Sequence, residues 1–102
     1  MKSFPVIIAP SAEADIIKSF IWGCDRWGIE AAQKWAQSIK RDILSKLSLM
    51  PLRYPIAPES EELGLELRQM ISGRYRVLFY IKQNEVRVAH VRGPFVADED
   101  QK

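Results

Sequence analysis

Between Leu65 and Arg92 the chain reads LELRQMISGRYRVLFYIKQNEVRVAHVR, three alternating stretches of apolar and polar positions with two reversals between them. Leu65, Leu67 and Ile71 fall on one parity, Tyr75, Val77, Phe79 and Ile81 on the next, and Val86 and Val88 on the third. A period of two places such residues on one face of a sheet, so the segment predicts a three-stranded antiparallel meander. Ser72-Gly73 and Gln83-Asn84 supply the turns, since Gly and Asn accept the positive φ of tight hairpins. The opposite parity carries Arg68, Arg74, Arg76, Tyr80 and Lys82. It predicts a basic face carrying a tyrosine, with Arg68 and Arg76 pointing away from whatever covers the apolar side.

Upstream the period changes. The short run Phe4 to Ala9 has the length of a further strand and stops at Pro10. Ser11 is placed to cap a helix, and Glu13 and Asp15 suit the positive end of its dipole. Ile16, Ile17, Phe20, Ile21, Cys24 and Trp27 then step by threes and fours, with Gly28 as the stop. A second helical stripe follows at once through Ile29, Ala32, Ala36, Ile39, Ile43, Leu47 and Met50, ended by Pro51. Glu30 and Lys34 stand in the favourable four-residue order on its polar side. Two helices with so short a break form an antiparallel hairpin that can cover one face of the sheet.

The stretch PLRYPIAPESEELG, with three prolines and three glutamates, predicts an extended connection back to the sheet. After Gly93-Pro94, residues 94–102 have the composition of a solvated, mobile tail. The expected fold class is therefore α+β in the order β-α-α-β-β-β. One domain spans 1–102, with the helical hairpin packed on one face of a small, mainly antiparallel sheet.

Composition narrows the function. A 102-residue chain that is 47% hydrophobic makes one modest core. No apolar run is long enough to cross a bilayer, and the single Cys24 fits a reducing compartment, so the expected location is the cytoplasm and no membrane partner is expected. The net charge of +2 is too small to indicate nucleic acid by itself, yet six Lys or Arg stand against two Glu from Leu65 to Phe95. No metal-ligand spacing, Gly-rich phosphate loop or Ser-His-Asp order is present, and no cofactor is expected.

Most of the conspicuous side chains have structural roles to fill. Arg68 and Arg76 are explained equally well as phosphate or partner contacts and as ion pairs tying the sheet to Glu59, Glu61 or Glu62. Arg74 reads as a turn residue and Tyr75 as core. His90, the only histidine, is a general-base candidate, but a strand histidine more often makes a structural hydrogen bond. Tyr80 shares the parity of Arg76. Trp22, Trp27 and Trp35 read as packing at the helical hairpin, with Trp22 off the main stripe and available to a partner.

Leu65-x-Leu67-Arg68, then Gly73-Arg74-Tyr75-Arg76-Val77-Leu78-Phe79, then Val86-x-Val88-x-His90-Val91-Arg92 resembles the RelE/ParE superfamily of bacterial toxins. The preceding helical hairpin and proline-rich connection are similar to that family too, so the resemblance runs from Val6 to Arg92. It implies a compact toxin of a type II toxin–antitoxin module. Such a toxin is neutralised by a cognate antitoxin that folds as it binds, with a hetero-oligomer as the product.

The family divides by mechanism. RelE-like members cut messenger RNA on the ribosome, and ParE-like members poison DNA gyrase. For a nuclease the resemblance implies Arg76 as the arginine that neutralises the phosphate, with Arg68, Arg92, Tyr80 and His90 in support. Where cleaving relatives carry lysines before the turn, this chain has Gly64 and Glu66, and its C-terminal segment is acidic. A glutamate repels a phosphate, which favours the ParE-like branch, acting by binding, over the RelE-like endoribonuclease. An inactive relative that only binds antitoxin is the third alternative.

Overall fold

The structure, a computed structural model, describes residues 3–93. The expected mobile tail, 94–102, lies outside the described residues. The chain runs β1 (Val6–Ile8), α1 (Pro10–Trp27), α2 (Ile29–Leu47), a 3-10 turn at Pro51–Arg53, α3 (Glu59–Leu63), β2 (Arg68–Ser72), β3 (Tyr75–Lys82) and β4 (Glu85–Arg92). The sheet order is β1-β4-β3-β2, antiparallel except that β1 pairs parallel with β4. This is the expected α+β class, with the helical hairpin over one face. The β3–β4 turn has the conformation its residues foretell, Gln83 and Asn84 both lying at positive φ.

The main core lies between the hairpin and the inner sheet face. Ile16, Ile39, Ile43 and Leu47 meet Met70, Val77, Phe79, Val86 and Val88, all buried. Tyr54 adds an edge-on contact with Phe79. The stripe on α2 is the predicted one in its middle, while Ile29 and Met50 at its two ends are exposed.

On α1 the stripe is displaced. Its buried row is Ala12, Ile16, Ser19 and Gly23, and Ile17, Ile21 and Trp27, expected inside, are exposed. Small residues let the helices approach closely: a Cβ on Gly23 would lie 3.5 Å from that of Ala32. The bulkier isoleucines therefore remain outside.

Ser11 does not cap α1, whose N-terminal boundary is Ala9 with Pro10 in the first turn. Its hydroxyl instead donates to the carbonyl of Ala89 at 2.6 Å. β1 pairs only with Val86 to Val88, and α1 takes over the rest of that edge. The Ala9 N–H donates to Val88 O at 3.0 Å, and the Val91 N–H donates to Asp15 Oδ2 at 2.9 Å. Backbone groups that would lack a strand partner are satisfied by the start of a helix.

Two further departures shape the outer face. In β2 the register sets Met70 opposite Val77 and Ile71 opposite Arg76. Facing residues of an antiparallel pair share a side, so Met70 enters the core while Ile71, expected there, is exposed. Leu65 is exposed as well, and Leu67 is buried on the opposite face. The predicted extended connection contains the 3-10 turn and α3, because Pro58 precedes a glutamate-rich first turn that suits a helix N-terminus and Gly64 closes it at φ 67°. This segment folds across the outer face, with Ala57 N–H to Leu67 O at 2.7 Å and Gln69 N–H to Pro55 O at 2.9 Å. Ala57, Leu67 and Leu78 form a second small core there, with Tyr80 and Ala89 packed on it.

Candidate functional site: the outer sheet face and its arginines

Arg76, in the middle of the outer face, is fully engaged. Its Nη1 and Nη2 each donate to one carboxylate oxygen of Glu59 at 2.8 Å, and its Nε donates to Gln69 Oε1 at 3.1 Å. A bidentate guanidinium–carboxylate pair combines geometry with charge. The hydrogen bond from Arg76, with added attraction from Arg76 and Arg92, holds the Glu59 carboxyl down at about 2. The same hydrogen bond raises Arg76 above its ordinary value. Of the acids that the sequence offered as partners for Arg76, Glu59 is the one that pairs with it.

That pair makes a pH prediction. The folded value of Glu59, about 2, lies below its ordinary 4.5, so its stabilising contribution is complete above 4.5 and is lost as pH falls through 2. Denaturant midpoints of the wild type and Glu59→Gln are expected to differ by a constant amount at neutral pH and to converge as pH falls from 4.5 towards 2. Parallel curves throughout that window would remove the ion pair from the account.

Arg68 is not where the alternation put it. It stands opposite Phe79 in the register, on the parity of Met70, and therefore on the helix side of the sheet at its edge. Its Nη1 donates to Tyr54 O at 2.7 Å and Leu52 O at 3.2 Å, fastening the connection rather than facing a ligand. The parity is inverted because β2 begins only at Arg68, with Leu67 before it turned into the outer core.

The other candidates are spread out. Arg92 is the cross-strand neighbour of Arg76 and is exposed. Tyr80 faces Arg87 one strand over and packs on the second core, four residues and about 13 Å along β3 from Arg76. His90 Nδ1 lies 3.1 Å from Asp15 Oδ2, the same oxygen that accepts from Val91 N–H, so it has a structural partner. Its position follows from a β-bulge: Leu78 pairs with His90 and Phe79 with Val88, which leaves Ala89 as the extra residue and returns Val91 to the core. Arg87 pairs with Glu85 at 2.9 Å. Of the five residues assigned by resemblance, the structure brings together Arg76 and Arg92.

Tyr75 is core, as read. Its ring lies 4.7 Å from that of Trp35, burial pushes its hydroxyl up, and that hydroxyl sits beside Ser19 without a hydrogen bond of normal geometry. What the alternation missed is Gln69, which positions Arg76, and the exposed pair Ile17 and Ile21 on α1. The four-residue spacing of Ile17 and Ile21 was visible; that they face outward was not.

The molecule is thus a small α+β domain with a sheet covered on both sides and, on its outer face, Arg76 ion-paired with Glu59. No family model and no curated protein matches its sequence. Solved structures do match. A chain of the RelBE2 toxin–antitoxin complex from Mycobacterium tuberculosis superposes with a TM-score of 0.66 at 20% identity, covering 90% of this chain and 92% of that one. A chain of the chromosomal ParDE system from P. aeruginosa gives 0.69 at 16% identity, covering 87% and 94%. The fold is the RelE/ParE-like one implied by the resemblance.

Proposed function

We propose that this chain is the toxin of a bacterial type II toxin–antitoxin module, and that it acts in the ParE-like manner by binding DNA gyrase or another protein target in the cytoplasm. The likeness to chains of toxin–antitoxin structures supports the toxin reading. The observation that carries binding over cleavage is the state of Arg76. A nuclease needs that guanidinium open to the scissile phosphate, whereas here both its Nη atoms are held by a carboxylate that stays ionised above about pH 2. An incoming phosphate would meet a negative charge already seated. By the resemblance, exposed Glu66 and Gly64 fall where cleaving relatives carry lysines. The antitoxin is the implied partner, covering the apolar strip that α1 leaves in solvent, and no cofactor enters the mechanism.

Among the described residues, the facing pair Arg76 and Arg92 favours the RelE-like nuclease. Expression of the wild type and Arg76→Ala without a partner distinguishes the two. For a binder, Arg76→Ala still arrests growth and messages are recovered uncut. For a nuclease, codon-positioned cuts appear with the wild type and fall by a factor on the order of 100 or more with Arg76→Ala. A wild-type chain that leaves growth unaffected would overturn the toxin reading altogether.

A further inference from the structure

A depression of about 450 Å³ opens where the break between α1 and α2 meets the β2–β3 turn. All three tryptophans of the chain, Trp22, Trp27 and Trp35, line it. Its aromatic wall depends on Gly23: Trp27 folds back over that residue so closely that a Cβ there would come within 2.8 Å of the ring. Trp22 meets Trp27 edge-on with centroids 5.5 Å apart.

The charges at this depression are unbalanced. The guanidinium of Arg26 lies 4.6 Å over the Trp22 ring, and Arg74 reaches the rim from the β2–β3 turn. Neither has an acidic partner among the described residues. The acid among the lining residues, Asp42, is committed elsewhere, accepting from the Ser72 hydroxyl at 2.8 Å and pairing with Lys46 at 3.5 Å. Aromatic walls under two uncompensated arginines select a ligand that is apolar and anionic at once. Ile29, two residues along the chain from the lining Trp27, is 60% exposed and adds apolar surface at the same helix break, which an extended chain would cover and a small metabolite would not.

We infer that this pocket is a docking site for a partner-protein segment that inserts a large apolar side chain between the tryptophans and sets a neighbouring carboxylate against Arg26 and Arg74. That the segment belongs to an antitoxin rests on the reading above; the chemistry of the pocket does not.

The purified chain can be tested with 8-anilinonaphthalene-1-sulfonate, an aromatic anion, against its uncharged relative N-phenyl-1-naphthylamine. Energy transfer from the tryptophans to the anion is expected to saturate at one site per chain and to weaken with added salt. Trp27→Ala abolishes it, and Gly23→Ala, which displaces the Trp27 ring, weakens it. The double variant Arg26→Glu/Arg74→Glu lowers affinity for the anion about fivefold or more and leaves the uncharged dye unaffected. Circular dichroism of each variant separates loss of the site from loss of the fold. Anion binding that persists in Trp27→Ala, or is unchanged by the double charge reversal, overturns the proposal. Growth arrest is read separately, so failure of the dye leaves the toxin reading standing and failure of arrest leaves the pocket standing.

Discussion

Leu78→Ala is expected to destabilise the protein by about 2–4 kcal/mol, the range for truncating a fully buried leucine. Leu78 stands on the parity of Arg76 and Tyr80, so simple alternation would put it in water. In the structure it is fully buried against Ala57 and Leu67, beneath the connection that crosses the outer face. Ile71, on the apolar parity of the original pattern, is 57% exposed, and Ile71→Ala should stay within about 0.5 kcal/mol of the wild type. Urea midpoints of the two variants provide the comparison. Equal midpoints would mean that the outer core does not form in solution.

On the proposed toxin reading, the double substitution Ile17→Glu/Ile21→Glu should leave fold and growth arrest intact while freeing the chain from the proposed antitoxin. Ile17 and Ile21 are 56% and 59% exposed and lie on one side of α1 with half-buried Phe20 and Cys24, so neither charge enters the core. If the partner covers this strip, two buried glutamates remove the centre of the contact. A loss of about 2–4 kcal/mol, roughly 30- to 1,000-fold in affinity, is the scale for such anchors. Co-expression with the protein encoded beside the chain is the assay. Full rescue of growth in the double variant would place the partner elsewhere.

How far the chain could be read in advance depended on how local each determinant is. The middle of the α2 stripe, the break at Gly28 and the Gln83-Asn84 turn depend on periods and backbone preferences acting over a few residues, and all three are found. β2 failed by one register step. Its parity is set by pairing with β3, and a single-residue slip exchanges the two faces of a strand. Met70 and Ile71 changed places for that reason, and Arg68 moved with Met70 to the helix side. Arg76 kept its predicted face because β3, with Tyr75, Val77 and Phe79 on one parity, has an unambiguous inward side.

The amino-acid pattern alone determined an α+β domain with a helical hairpin on one face of the sheet and arginines on the other, because alternation and helical spacing are recorded residue by residue. It also named the acids, Glu59 among them, that could neutralise those arginines. Which acid does so depends on the path of the Pro51 to Gly64 segment across the outer face. That path is fixed by long-range hydrogen bonds and the burial of Ala57 against Leu78. The outward turn of Ile17 and Ile21 and the gathering of three tryptophans and two arginines around one pocket arise in the same way. Each depends on how closely Gly23 and Ala32 allow two helices to approach, a distance that no spacing along the chain encodes.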